Sequence, residues 1–127
     1  MKESFTVYCG NKFTLEWYFD AQGTSQAFEY FTGLTRDRQK KIIHLFCLLG
    51  DIGKIFNEEK FRHEGDQIYA LKASADRFLC FFFDGAKIII TNAYEKKTAK
   101  MPPNEKKQAL KTKNDYIKRS NDGDYYD

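Results

Sequence analysis

Apolar and polar positions along the chain form short runs that are typical of strands, and three of these runs follow one another between residues 67 and 98. They cover residues 67–72, 77–83 and 87–98, and the pair Asp84-Gly85 between the last two is a strong signal for a β-hairpin turn. Residues 78–83 and 88–90 are almost continuously apolar instead of alternating, which predicts strands covered on both faces. We therefore expect a three-stranded meander at the centre of the fold.

The N-terminal half of the chain predicts a strand followed by two helices. Aromatic and β-branched residues at 13–19 indicate a strand, and the similar run at 5–9, across the turn pair Gly10-Asn11, either extends that strand or pairs with it. Capping side chains at 24–25 begin a short helix that Gly33 ends, and Thr35 caps a longer one. In this second helix the apolar residues share one stripe, which consists of Ile42, Leu45, Phe46 and Leu49.

The C-terminal part of the chain predicts a third helix and a loose end. Residues 56–65 are polar and charged and lead into the meander. Two prolines at 102–103 suit the first turn of a helix that we expect over residues 103–118. The order β-α-α-β-β-β-α predicts an α+β domain in which the helices pack on one antiparallel sheet. We expect a single domain over residues 1–119 and a frayed acidic tail over 120–127.

Composition narrows the class of protein. A chain of 127 residues fits one domain, and 42% hydrophobic residues with twelve Phe and eight Tyr suffice for a compact core. The N-terminus shows no apolar segment of a secretory signal, and no apolar run is long enough to cross a bilayer, so we expect no membrane association. Three widely spaced cysteines, Cys9, Cys47 and Cys80, indicate reduced thiols in a cytoplasmic protein. No cysteine–histidine spacing suggests a metal site, and we expect no cofactor.

The charge is distributed unevenly, which points to an anionic partner. The net charge is only +3, but residues 96–119 carry nine Lys and Arg against two acidic residues, a local charge of +7. Cations also stand at the strand ends of the meander. Lys72 closes the first strand, Arg77 opens the second, and Lys96 and Lys97 follow the third. We expect a cluster of positive charge beside the core, because a meander brings such ends together.

Three motifs in this order resemble the RelE/HigB superfamily of bacterial toxins from type II toxin–antitoxin systems, and in particular its phage-derived HigB-like branch. The first is Tyr69-Ala-Leu-Lys72, and the second is the aromatic strand that Arg77 begins and Asp84-Gly85 ends. The third is Tyr94-Glu-Lys-Lys-Thr98, with a proline a few residues later and a lysine-rich helix behind it. The resemblance extends over about residues 13–119 and implies a RelE-like fold.

The resemblance implies a ribosome-dependent mRNA endoribonuclease, or mRNA interferase, that a helix-turn-helix-type antitoxin neutralises. Cleavage of RNA by its own 2′-hydroxyl needs a base, charge stabilisation at the phosphate and an acid at the leaving 5′-oxygen. Arg77 suits two phosphate oxygens, and Lys72 with Lys96 or Lys97 adds charge or transfers protons. Tyr94 is suited to stack on a base or to donate its hydroxyl. The residues implied to contact RNA are Tyr94, Thr98, Lys100, Lys107 and Lys111.

Structural interpretations compete with these roles. Arg77 could form an ion pair with Asp76 or Asp84 at the sheet end. Tyr94 could be a core residue, and His63 is expected to be a surface histidine without a catalytic role. The cations on the first turns of the second helix, Arg36, Arg38, Lys40 and Lys41, are expected to form a solvated face.

Two other functions stay open. One is a non-catalytic or degenerate binding module with the RelE/ParE fold, which acts on RNA or on a protein target such as DNA gyrase. The other is a basic RNA-binding protein without an antitoxin. The cationic cluster at the strand ends favours the nuclease.

Overall fold

The computed structural model describes residues 5–126, which form one six-stranded sheet and three helices. In chain order the elements are β1 (Thr6–Cys9), β2 (Thr14–Trp17), α1 (Gln26–Thr32), α2 (Arg36–Ile52), β3 (Phe61–His63), β4 (Tyr69–Ala73), β5 (Asp76–Phe83), β6 (Lys87–Glu95) and α3 (Pro103–Asn121). The predicted α+β class is confirmed. Within residues 5–126, no helix combines the length and the apolar character that a bilayer crossing requires.

The sheet differs from the expected antiparallel one in strand number and in direction. Its spatial order is β1-β2-β6-β5-β4-β3, and β2 pairs with β6 in parallel while the other neighbours are antiparallel. Two parallel neighbours need a long crossover connection between them. The chain between β2 and β6, which includes α1 and α2, supplies it. The predicted order lacks β3, a short edge strand whose exposed polar residues hide the strand pattern. The run at 5–9 forms the other edge strand, β1, which pairs with β2 instead of extending it.

Helices α1 and α2 cover one face of the sheet. The predicted stripe of α2 is confirmed, since Ile42, Leu45, Phe46 and Leu49 are all buried there. Phe46 packs edge-on against Trp17 of β2 and Phe78 of β5, with ring centroids 5.8 and 5.6 Å apart. Such edge-to-face aromatic pairs contribute beyond the area they bury. This cluster fixes the two helices on the central strands.

Helix α3 covers the opposite face, which explains why β5 and β6 are apolar on both sides. The helix runs three residues further than expected, to Asn121, and it buries Ala109, Thr112 and Tyr116. The predicted fraying of the tail is wrong for Tyr125, which is buried with its ring 4.6 Å from that of Tyr116. Its hydroxyl accepts a hydrogen bond from the backbone N–H of Phe19 at 2.9 Å. A buried tyrosine with a satisfied hydroxyl holds this acidic segment in place.

The β5–β6 hairpin turns where the sequence predicts it. Asp84 and Gly85 both have positive φ angles, 57° and 68°, and the Ala86 N–H donates to the Phe83 carbonyl at 3.3 Å, so they are the central residues of a type I′ turn. Further along the ladder Leu79 faces Asn92 while Cys80 faces Ile90, so Thr91 is an extra residue in β6. The Thr91 hydroxyl lies 3.2 Å from the Leu79 carbonyl oxygen and 2.7 Å from Asn92 Oδ1. Thr91 therefore forms a β-bulge in the middle of the central hairpin.

Candidate functional site

Three adjacent strands place Lys72, Arg77 and Tyr94 side by side in one row. Lys72 of β4 is the register partner of Arg77 of β5, and Arg77 is the partner of Tyr94 of β6. Paired residues in antiparallel strands lie about 5 Å apart at Cα, so the three side chains leave the sheet next to each other. The row lies on the α3 face, beyond the part of that face that α3 covers.

The bulge at Thr91 puts Tyr94 in this row. Side chains alternate between the two faces of a strand, and one extra residue reverses the alternation beyond it. Ile89, before the bulge, faces α3, and so does Tyr94 after it, although the two are an odd number of positions apart, five. Without the bulge Tyr94 would face α1 and α2 instead. Asn92 secures this part of β6, because its buried amide donates to the Glu105 carbonyl at 3.2 Å and to Glu105 Oε1 at 3.1 Å.

The row forms the floor of a pocket of about 320 Å³. Its lining residues are Arg62, Glu64, Ala70, Lys72, Arg77, Tyr94, Lys96, Thr98, Ala99, Lys100 and Met101. Five of them are cations, and Glu64 is the one carboxylate among the described residues of the lining. The pocket therefore has a strongly positive potential and suits an anionic ligand.

The guanidinium of Arg77 is held by backbone carbonyls. Its Nη1 donates to the carbonyl oxygens of Ser74 at 2.8 Å and Asp76 at 3.0 Å. The alternative of an ion pair with Asp76 or Asp84 is wrong, and no described carboxylate lies within ion-pair distance of Arg77. Asp76 faces the other side of the sheet, as a strand neighbour must, and Asp84 lies at the far end of β5. The charge of Arg77 is thus oriented without being neutralised by these groups.

Asp76 anchors the start of β5 from the opposite face. Its fully buried carboxylate accepts hydrogen bonds from Arg38 Nη2 at 2.5 Å, Arg38 Nε at 3.0 Å and the Tyr30 hydroxyl at 2.6 Å. The hydrogen bond to Asp76 raises the pKa of Arg38, and burial raises the pKa of Tyr30, so both groups stay protonated. The expected solvated face is therefore wrong for Arg38, which was indistinguishable by sequence from its exposed cationic neighbours.

Tyr94 keeps its phenolic proton at neutral pH. Its half-buried position raises the pKa of its phenol, and Glu64 and Glu105 raise it further, while Arg77 acts in the opposite direction. A phenol with a raised pKa keeps its proton and cannot serve as a base near neutrality. The interpretation of Tyr94 as a plain core residue does not hold, since its side chain lines the pocket.

The segment between β6 and α3 forms one wall of the pocket. The backbone N–H of Lys96 donates to the Ala75 carbonyl at 2.7 Å, which ties the segment to the β4–β5 turn. Thr98 Oγ1 donates to the Lys100 carbonyl at 2.9 Å and closes a local turn. These bonds hold Lys96, Thr98 and Lys100 at the pocket.

The structure brings together six of the nine predicted site residues, namely Lys72, Arg77, Tyr94, Lys96, Thr98 and Lys100. The other three lie elsewhere: Lys97 and Lys107 are exposed outside the lining, and Lys111 lines a second cleft of about 330 Å³ with Tyr18 and Asp115. Lys111 points there because the burial of Ala109, Thr112 and Tyr116 fixes the rotation of α3.

The sequence did not predict five of the lining residues, namely Arg62, Glu64, Ala70, Ala99 and Met101. Arg62 belongs to β3, a strand of only three residues, and Glu64 directly follows it. The alternation of buried Phe61 with exposed Arg62 was the available signal, but it is short. His63 is exposed and does not line the pocket.

Taken together, the fold and the pocket define a small α+β domain with a cationic pocket at the ends of adjacent strands. Residues 29–114 match a family described as phage derived protein Gp49-like (DUF891), which is more than half of the chain. The chain belongs to this family. It is a RelE-like toxin family, so membership supports a toxin role in a toxin–antitoxin pair and an antitoxin partner. No curated protein matches the chain.

Proposed function

We propose that this chain is a HigB-like mRNA interferase, a toxin that cleaves mRNA on the ribosome in the cytoplasm until a helix-turn-helix-type antitoxin binds it. The observation that carries this proposal is the convergence of five cations in one pocket around Lys72, Arg77 and Tyr94. Exposed lysines scattered over a surface would support only non-specific binding. Cations fixed by neighbouring strands give a defined site for a phosphate.

Arg77 is the residue best placed to hold the scissile phosphate. Two backbone carbonyls fix one of its nitrogens, and the planar guanidinium has further N–H groups to offer to phosphate oxygens. Lys72 and Lys96 add positive charge on the two sides of it, from β4 and from the segment after β6. Because these groups are in place before the substrate arrives, they stabilise the charge that develops on the phosphorane without reorganisation.

The reaction that fits this site is attack of the RNA 2′-oxygen on the adjacent phosphorus. The P–O5′ bond breaks, so the products are a 2′,3′-cyclic phosphate and a 5′-hydroxyl end. The proton of the 2′-hydroxyl passes to a base, and Glu64 is the one carboxylate that the described lining residues offer. The leaving 5′-oxygen takes a proton from Tyr94, Lys72 or Lys96, which line the pocket. Lys97, next to Lys96 but outside the lining, adds positive charge at the edge of the site.

The remaining predicted residues act in binding. Thr98 and Lys100 line the same pocket and are placed to contact the nucleotides that flank the scissile bond. Lys107 and Lys111 lie on α3 outside the pocket and serve as peripheral contacts to RNA or to the ribosome. Such peripheral phosphate contacts weaken with salt and carry no chemistry.

The alternative is a binding module with the same fold that blocks translation or another target without cleaving RNA. It is kept because the described pocket has no histidine, the most frequent acid–base residue of enzymes. The two functions differ in whether new RNA ends appear.

The test is a reconstituted translation system with one defined mRNA, in which primer extension maps new 5′ ends. We expect ends within the reading frame when ribosomes translate, and none when ribosomes are omitted. Arrested translation with intact mRNA would instead establish the binding module. Unimpaired translation with intact mRNA would remove the toxin proposal.

A further inference from the structure

A third cavity, a groove of about 870 Å³, lies between α2 and the segment that follows it. Its floor is apolar and is formed by Leu45, Leu48, Ile52, Ile55 and Phe56. Ile52 is 50% exposed and Phe56 is 84% exposed, which is unusual for side chains of this size. Contiguous exposed apolar surface beside a cleft is typical of a site that binds another molecule.

The rim of this groove is positive. Lys40, Lys41, Lys54, Lys60 and His44 line it, and no Asp or Glu does so among the described residues. Asp51, Glu58 and Glu59 adjoin lining residues in the sequence but do not line the groove themselves. Asp37 lies one helical turn before Lys41 and pairs with it at 3.6 Å. Lys54 lies 5.3 Å from the ring centroid of Phe56, so charge and apolar surface adjoin directly. A matching ligand must combine an apolar stripe with negative charges beside it.

The shape of the groove indicates a helix. Lys41, Leu45, Leu48 and Ile52 of α2 recur every three or four residues along one wall, over about 16 Å at 1.5 Å per residue. This length corresponds to roughly three turns of a second helix lying along α2. An RNA strand would satisfy the lysines but would leave the apolar floor uncovered, since phosphates are its outer groups.

We propose that this groove is the docking site of an acidic amphipathic helix of a partner protein. The identification of that partner as the antitoxin rests on the proposed function, whereas the groove and its chemistry do not. Apolar side chains of the helix fill the floor over Ile52 and Phe56. Glutamates or aspartates on its flanks face the lysines of the rim.

The groove ends at the turn that orients Arg77. Ala73 and Ser74 line its end, and Lys41 Nζ lies 3.5 Å from Ser74 Oγ. The carbonyl of the same Ser74 accepts the hydrogen bond from Arg77 Nη1. A helix seated in the groove therefore touches the β4–β5 turn from the side opposite the cationic pocket. Docking there gives a partner a route to the active site that does not require it to enter the pocket.

The test uses three probes of equal length. The first is a helical 18-residue peptide with leucines at i, i+3, i+4 and i+7 and glutamates at its flanks. The second is the same peptide with lysines in place of the glutamates, and the third is single-stranded RNA of 18 nucleotides. We expect the glutamate peptide to bind, with backbone NMR shifts centred on residues 41–56 and reaching Ser74 and Arg77.

Two variants localise the binding. Phe56→Ser should weaken the glutamate peptide by roughly ten-fold or more, because an exposed aromatic anchor of this kind carries much of an interface's energy. The double variant Lys41→Glu/Lys60→Glu should reverse the preference in favour of the lysine peptide. Lys118→Glu, the same substitution at a single lysine on the exposed end of α3, is the control and should leave the affinity unchanged. Melting temperatures confirm that every variant is folded.

Failure of the glutamate peptide to bind, or equal binding to Phe56→Ser and to the charge-reversed variant, would overturn the proposal. Binding of the RNA alone, with loss in Lys41→Glu/Lys60→Glu, would assign the groove to nucleic acid and overturn it as well. None of these measurements depends on mRNA cleavage. The docking proposal can therefore be disproved while the nuclease proposal stands, and the nuclease proposal can be disproved while the docking proposal stands.

Discussion

At the scale of single residues, two charged neighbours in the sequence lie on opposite faces of the sheet. Asp76 and Arg77 are adjacent in β5, yet Asp76 is buried against α2 and Arg77 lines the cationic pocket. The alternation of a strand separates them, and each is oriented by hydrogen bonds on its own face. The negative charge in the pocket comes from Glu64, which follows the edge strand β3.

Replacement of Glu64 tests its proposed role as the base. We expect Glu64→Gln to lower the rate of mRNA cleavage by about a hundred-fold, the lower end of the effect of a general base. RNA binding should be unchanged or tighter, because the change removes a negative charge from a positive pocket. The measurement is single-turnover cleavage in translating ribosomes, together with the affinity for ribosomes.

Glu58→Gln is the matched control, an equal change at an exposed position just before β3 that does not line the pocket. A Glu64→Gln variant as fast as the unchanged protein over the whole pH range would remove Glu64 from the chemistry and leave a lysine as the base.

At the scale of elements, the position of the row depends on how β5 and β6 are held. The Asp76 network fixes the start of β5, and the Thr91 bulge sets the face on which Tyr94 emerges. Neither the side-chain network of Asp76 nor the Thr91 bulge lines the pocket. Both act through the backbone of the two central strands, and a change in either is expected to alter stability.

Removal of the buried Asp76 carboxylate tests whether its hydrogen bonds anchor the start of β5. Asp76→Ala should destabilise the fold by about 3 kcal/mol, since it leaves Arg38 and the Tyr30 hydroxyl without their acceptor. The measurement is chemical denaturation at neutral pH. Asp37→Ala, which removes an exposed carboxylate from the first turn of the helix that carries Arg38, should shift the midpoint far less. Equal midpoints for Asp76→Ala and the unchanged protein would contradict the anchoring role.

Elements that short sequence signals determine could be predicted, whereas elements that depend on residues far apart in the chain could not. The β5–β6 hairpin and the α2 stripe were predicted because a turn pair and a helical period are local signals. The parallel pairing of β2 with β6 was not, because it joins residues 14–17 to 87–90 and depends on the whole crossover. The short strand β3 gave too few alternating positions.

The same distinction applies to the site. Lys72, Arg77 and Tyr94 could be predicted to meet because the order of strands in a meander determines which ends are neighbours. The second cleft at Lys111 could not be predicted, because the rotation of α3 is fixed by the packing of Tyr116. The ion pair of Arg38 was hidden because its partner, Asp76, lies 38 positions further along the chain.

At the scale of the whole molecule, the two faces of the sheet serve different proposed partners. The cationic pocket lies on the α3 face and suits RNA, and the groove lies along α2 on the other face and suits an acidic helix. The β4–β5 turn adjoins both, through Ser74. Binding at one site is therefore expected to affect the other.

Neutralisation by a partner follows from this arrangement. We expect expression of the chain alone to arrest growth, and co-expression with the protein encoded next to its gene to restore growth and to yield a stable complex. An acidic partner should bind more weakly as salt rises, since screening reduces its attraction to the lysines. Growth counts and gel filtration of the co-expressed proteins are the measurements. Normal growth with the chain alone, and no complex, would contradict the toxin role.

The central claim, that Arg77 holds the scissile phosphate, is tested most directly by translation-coupled mRNA cleavage with Arg77→Ala. We expect a loss of about a hundred-fold or more with an unchanged melting temperature, because a preorganised donor is removed from the developing charge. Arg77→Lys should also be impaired, since a point charge does not replace the planar fork. Lys111→Ala, which lies in the other cleft, should lose activity only slightly and more so at high salt. Full cleavage by Arg77→Ala would contradict the account, and a collapsed melting temperature would give Arg77 a structural role instead.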